Sequence, residues 1–323
     1  MPPPNISYGD IVTTTLRNRS PVVADNLTKN NALYGWLAER KNIKTIDGGS
    51  TILEPLRYGA NPNFSWYSGY DLLPVAQSES VTAAEFNLKL CSDQVVISGE
   101  EELKNSGREK VLDLLTEKTD AAETTVLNQM SQAVYGDGTA FGGKAIIGLD
   151  GIIPVDPTTG TYGGIDRAQN PFWRPYVLAP GVVITSANIA GYMNTMYLNL
   201  MRGSDFPDLI ICDNYMYAAF EASLQQYQRF TSADKAKLGF RGIEYKDAMV
   251  VADGGIGGFA TNKTMYFLNT KYLRLRPHKD RNMVPITPKT RAPINQDASV
   301  IIFGWAGAMT CNNQQLQGRL ISA

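Results

Sequence analysis

The feature that most limits how this chain can fold is an unbroken helical pattern from Gly107 to Tyr135. Val111, Leu115, Ala122, Val126, Met130 and Ala133 fall on one face, and no proline interrupts the stretch. Gly136-Asp137-Gly138 stops it, since glycine readily takes the left-handed backbone just past a helix end. At about 1.5 Å per residue this rod is about 43 Å long. That is long for a compact domain in a chain of 323 residues, and it reads as a structural spine.

Segments on the N-terminal side of the spine have little core of their own. Residues 1–46 hold prolines at 2, 3, 4 and 21 and many Asn, Ser and Thr. One amphipathic piece, Asn30 to Lys41, sets Leu33, Trp36 and Leu37 at helical spacing. Six bases, Arg17 and Arg19 among them, face three acids there. So extended an arm is expected to need another surface, with Arg17, Arg19 and Trp36 as contact residues. Next, Phe86, Leu88 and Leu90 alternate with Glu85, Asn87 and Lys89, the period of a half-buried strand. Thr51 to Tyr58 is its expected partner. The excursion between them mixes turn residues with Phe64, Trp66, Tyr67 and Tyr70. Aromatics on a protruding tip either form a satellite cluster on their own domain or bury against something else; on the second reading Trp66, Tyr67, Tyr70 and the flanking Arg57 are expected contacts.

Beyond the spine, residues 136–181 are rich in Gly and Pro and read as loops and short strands. Ser186 is placed to cap a helix carrying Ile189, Met193, Met196 and Leu200, ended by Gly203. Leu209–Cys212 reads as a strand. A helix with Tyr217, Phe220, Leu224 and Tyr227 on one face follows, then strands at Ile243–Tyr245 and Met249–Ala252. These form a small mixed lobe. Met265 to Arg276 is a further strand. Seven bases, among them Arg276, Lys279 and Arg281, then crowd 271–291 against the single acid Asp280. That run suits either phosphate or the acidic patches of a neighbouring copy. Val300–Phe303 and Leu316–Ile321 close the chain as strands.

The chemistry-bearing residues exclude more than they offer. The single histidine, His278, rules out a two-His zinc or iron site and sits in a polar run that reads as a solvated loop. Cys91, Cys212 and Cys311 have no metal-ligand spacing and read as buried free thiols. Gly138 to Ala145 matches a phosphate-binding loop until its last position, where Ala145 stands in place of the magnesium-binding hydroxyl; it also follows a helix where a strand is required. Glu100-Glu101-Glu102 opens the approach to the spine, where acids favour the positive helix end; Asp113, Glu117 and Asp120 on its polar face read as solvated or interfacial, and Asp253-Gly254-Gly255 reads as a turn. No active site, cofactor site or metal site emerges. No run reaches the roughly 18 apolar residues of a membrane span.

The order of parts, and the closing phrase from Asn295 through Val300-Ile301-Ile302-Phe303 and Thr310-Cys311-Asn312-Asn313 to Leu320, resembles the major capsid proteins of tailed bacteriophages. The resemblance covers nearly the whole chain. It implies the α+β Hong Kong 97-type fold: an N-terminal arm at 1–46, an extended hairpin loop at 47–98 and a peripheral domain with a spine helix at 99–180. An axial domain at 181–262, a peripheral return at 263–296 and closing axial strands at 297–323 complete it.

In function, the resemblance implies a self-assembling shell subunit and not an enzyme. Pentamers and hexamers would tile an icosahedral head around double-stranded DNA, touching the DNA non-specifically. The subunit would work in the virion capsid after assembly in the host cytoplasm. Two departures shape the expectation. No lysine lies between Thr45 and Leu88, so the Lys–Asn cross-link of some family members is not expected, and cement proteins become candidates. No charged helical prefix precedes the arm, so either scaffolding is expected as a separate protein or a prefix was cleaved or omitted; a separate portal protein is a further candidate partner. Another virion structural protein, a compartment shell of the same fold, and an α/β phosphate-binding enzyme are the alternatives.

Overall fold

A computed structural model describes residues 31–77, 79–104, 108–224, 242–254, 258–286 and 296–323. Its strands are β1 (Ile52–Arg57), β2 (Val81–Phe86), β3 (Lys89–Ser98), β4 (Thr161–Tyr162), β5 (Ile165–Asp166), β6 (Tyr176–Leu178) and β7 (Leu209–Cys212). Then follow β8 (Gly242–Tyr245), β9 (Ala248–Ala252), β10 (Thr264–Leu268), β11 (Leu273–Pro277), β12 (Val284–Pro285), β13 (Ala298–Cys311) and β14 (Gly318–Ile321).

The lobe is a six-stranded sheet in the order β6-β14-β10-β7-β9-β8. Its central strands are apolar at nearly every position because both faces are covered. Ile210, Val250, Met265 and Phe267 point toward helices Ile189–Asn199 and Asn214–Leu224, meeting Met193, Met196 and Phe220. Alternate residues Leu209, Ile211, Val251, Tyr266 and Leu268 enter a second core. That core also receives Leu127, Met130 and Val134 from the long helix, Arg108–Tyr135. The helix lies on β3, which pairs for ten residues with β13. The far half of β13 pairs with β11, so this one strand holds the second sheet together.

Several sequence expectations change here. The strand expected through Leu90 ends at Phe86 and restarts at Lys89, because β2 pairs with β1 and β3 pairs with β13. Leu90 is consequently exposed. The run Met265–Arg276 also divides: β10 joins the lobe, β11 the second sheet, and a 3-10 turn at Thr270–Tyr272 separates them. Asp208 fixes that turn, accepting from Thr270 N (2.7 Å). The closing strands were both expected in the axial lobe. Only β14 is there; β13 belongs with β3 and β11. Asn188, not Ser186, is the residue before helix Ile189–Asn199, and its Oδ1 accepts from Thr185 N (2.8 Å). Cys212 and Cys311 are buried, but Cys91 is exposed. His278 is half-buried at the end of β11, its amide donating to Ala306 O (2.8 Å).

The C-terminal part of the expected arm also finds its surface within the chain. Asn31 Oδ1 caps helix Ala32–Glu39 by accepting from Tyr34 N (2.9 Å), and Ala32 to Leu37 are all buried. Ile43 and Ile46 then bridge in parallel to Leu275 and His278. Tyr227 and the helix turn expected around it lie outside the described residues.

Candidate functional site

The region that stands out is the ribbon β1–β2 and the loop it carries. Period-two alternation turns Ile52, Glu54 and Leu56 inward and Leu53, Pro55 and Arg57 outward. A carboxylate is thereby placed among apolar neighbours, with Glu54 1% exposed. Burial of an unpaired charge is prohibitive, so it requires partners. Arg274 and Arg276, two apart on β11 and so on one face, supply them. Arg274 Nη1 donates to Oε2 (2.7 Å); Arg276 donates to Oε1 through Nη2 (2.6 Å) and Nε (2.9 Å). Thr310 Oγ1 on β13 adds a fourth donor (3.0 Å). Charge-assisted, multiply donated pairs of this kind are strong and directional. They fix the ribbon's angle on the second sheet.

At the outer end the opposite holds. Asn63 closes the neck of the loop, donating through Nδ2 to Ala76 O (2.6 Å) and accepting at Oδ1 from Ala76 N (2.8 Å). Ser68 N donates to Asp71 Oδ2 (2.8 Å), shaping a turn. The loop thus has a defined path, yet Phe64, Trp66, Tyr67, Tyr70, Leu72, Leu73 and Val75 are all exposed, Trp66 at 92% and Leu72 at 97%. The one ring contact among them is edge-on, between Phe64 and Trp66 (5.8 Å). Contiguous apolar surface of this extent marks an interaction site.

The expected contact residues divide accordingly. Trp66, Tyr67 and Tyr70 lie together on the exposed tip, and Arg57 is exposed at its foot. Lys279 and Arg281 are exposed beyond β11, Lys279 only 3.8 Å from Asp47. Two expectations are corrected. Trp36 is 5% exposed and packs in the chain's own core, because its helix lies against β11. Arg276 is turned to Glu54 within the chain, where the expectation had it reaching a neighbour. Arg17 and Arg19 lie outside the described residues. The Gly-rich stretch after the long helix is an irregular turn with positive φ at Gly138, Phe141, Gly142 and Gly143, not a strand-to-helix phosphate cradle.

Two features escaped the sequence reading. Glu54 could have been found, since strict alternation puts it with Ile52 and Leu56 and so demands a cation. Asp253, read as a turn residue, is buried and accepts a hydrogen bond from Tyr135 Oη at the end of the long helix. Burial raises its carboxyl above the usual range, with the Tyr135 bond opposing. Asp150, on the short helix Leu149–Ile152, is tied to the lobe, accepting from Tyr266 Oη (2.5 Å) and pairing with Arg319 (2.8 Å).

A mixed six-stranded lobe, a long helix laid on a second sheet, and a projecting ribbon together match known shells. The chain is similar to a subunit of the cyanophage A-1(L) capsid, at 14% identity and a TM-score of 0.63, over 86% of this chain and 89% of that one. It has the Hong Kong 97-type capsid fold. The capsid of a native GTA particle gives 10% identity and a TM-score of 0.59, over 88% of this chain and 89% of the other. The capsid of Myoviridae phage XM1 gives 9% and 0.55, over 89% and 92%. At such identities the shared property is the fold. No family model and no curated protein matches the chain.

Proposed function

We propose that the chain is the major capsid protein of a tailed phage. Pentamers and hexamers of it tile an icosahedral shell around double-stranded DNA, in the virion after assembly in the host cytoplasm. It has no catalytic role. The observation that carries this reading is the contrast along one ribbon: a fully buried Glu54 locks the base, while the tip holds a defined aromatic and aliphatic surface open to water. A lone monomer gains nothing from that surface. A second copy covers it, and modest contacts repeated around a closed symmetry become collectively strong. Arg57, Lys279 and Arg281 are rim contacts to neighbouring copies; Arg17 and Arg19 belong to an arm that reaches one. Scaffolding, cement and portal proteins act as separate partners, and contact with DNA is non-specific.

Electron microscopy of the overexpressed protein tests this. Closed shells of uniform size are expected. A chain that stays monomeric at high concentration, or that forms only tubes or rings, would overturn it.

A further inference from the structure

The turn that follows β11 is built around the chain's single histidine. The main chain of His278 is fixed on both sides. Its amide donates to Ala306 O on β13 (2.8 Å), and its carbonyl accepts from Arg281 N (3.2 Å). Ile46 lies beside it in a parallel bridge, and Ile46 O accepts from Lys279 N (2.9 Å). Ala306 N in turn donates to Arg281 O (2.7 Å). Within this frame the imidazole makes a bond of its own: Nδ1 accepts from Asp280 N (3.2 Å). A side-chain acceptor that bonds the backbone amide two residues on is how Asn and Asp hold a turn. Lys279 and Arg281 are exposed on the turn so held.

Histidine in that place differs from Asn in one respect. A carboxamide oxygen accepts at any ordinary pH, whereas Nδ1 accepts only while the ring is neutral, with its proton on Nε2. A proton taken from solvent goes to Nδ1, the one ring nitrogen with a lone pair to receive it, and both nitrogens are then donors. An N–H now faces the Asp280 N–H, and the bond is lost. The charged groups around the ring do not restore it. Its own turn has Lys279, Asp280 and Arg281; Arg276, two residues earlier on β11, is turned to Glu54. The segment beside it brings Lys44 and Asp47, the latter 3.8 Å from Lys279 Nζ. The facing stretch of β13, Trp305 to Ala308, carries no charge. Asp280 and Asp47 can draw an imidazolium, but neither replaces the acceptor that the Asp280 amide has lost.

We propose that His278 is a proton-operated switch on this turn. Neutral, it closes the turn and presents Lys279 and Arg281 in one arrangement; protonated in mildly acid water, it lets the turn open. As a control on association between copies the switch rests on the shell reading above, which makes those two bases rim contacts.

Hydrogen exchange of residues 278–283 in free subunits tests the switch. His278→Asn is the reference, because its Oδ1 stands in for Nδ1 as acceptor and takes up no proton. The ratio of wild-type to variant exchange also cancels the direct effect of pH on exchange. That ratio is expected to be near unity at about pH 7.5 and to rise about fivefold at about pH 5, the weight of one ordinary hydrogen bond. A flat ratio would overturn the proposal. So would a ratio already high at neutral pH, which would mean that the neutral ring does not hold the amide. The wild-type ring gives a second reading that needs no variant, since one histidine yields one set of imidazole nitrogen resonances. Its titration and the opening of the turn are expected to share a midpoint, and separate midpoints would overturn the switch. Sedimentation carries the test to association: wild-type assembly is expected to weaken at the lower pH relative to His278→Asn. Equal assembly by both chains at both pH values would overturn the control of association. Absence of wild-type particles at neutral pH would overturn the shell reading instead, with the switch still decided by exchange.

Discussion

The lobe and the ribbon treat the same kinds of residue in opposite ways. In the lobe, Val250, Met265 and Phe267 are shielded by two helices and Leu209, Ile211 and Tyr266 by a second core, so both faces of the sheet are dry. In the ribbon tip, side chains as large as Trp66, Tyr70 and Leu72 meet water. Composition does not distinguish the two regions. Connectivity does: helices on either side of β7 in sequence fold back onto the lobe sheet, whereas the loop is carried outward by two strands and held out by Asn63. One region completes its burial within the chain, and the other leaves its large apolar side chains open to water.

Substitutions can break this contrast at graded points. Phe267→Ala removes a fully buried ring from the lobe and is expected to lower stability by about 3–5 kcal/mol, read by denaturant unfolding. Glu54→Ala leaves Arg274 and Arg276 facing each other without their anion. Loss of about 3 kcal/mol is expected, at the low end for a broken buried pair because both guanidiniums keep some water. Its distinguishing consequence is a ribbon free to swing on the second sheet, so proteolysis between Tyr58 and Ser80 should accelerate more than global unfolding does.

A smaller effect is expected at Asp253, and its sign follows from linkage. Its folded pKa lies above the unfolded value, so the native state holds the proton more tightly than the unfolded one. The resulting contribution is fully present below the unfolded carboxylate value and is lost as pH rises through the raised one. Asp253→Asn keeps an acceptor for Tyr135 and should flatten that part of the stability profile in chemical unfolding between acidic and neutral pH. An unchanged profile would mean that Asp253 does not titrate differently on folding. The smallest effect on stability is expected from Trp66→Ala with Tyr67→Ala. Truncating exposed side chains should shift the unfolding midpoint by no more than about 0.5 kcal/mol.

Periodicity carried most of the lobe and the long helix into view, because both are built from local patterns repeated over several turns or strand residues. The breaks were harder to read. Nothing local marks Asn87-Leu88 or Asn269 as places where the chain changes sheets; each is decided by a partner strand more than forty residues away, β13 for β3 and β14 or β7 for β10. The segment around Trp36 is too polar to form a core by itself, so its burial is not legible locally; β11 provides the surface that covers it. The tip aromatics were legible as exposed because turn residues surround them.

The central claim is that the loop tip is neutral for the fold and decisive for association. Sedimentation velocity of the wild-type chain and of the Trp66→Ala, Tyr67→Ala double variant, at equal concentration and alongside their unfolding curves, tests it most directly. The wild type is expected to sediment as large closed particles. The variant should remain as small soluble species with an unchanged unfolding curve. Equal assembly by the variant, or loss of its folded lobe, would contradict the account.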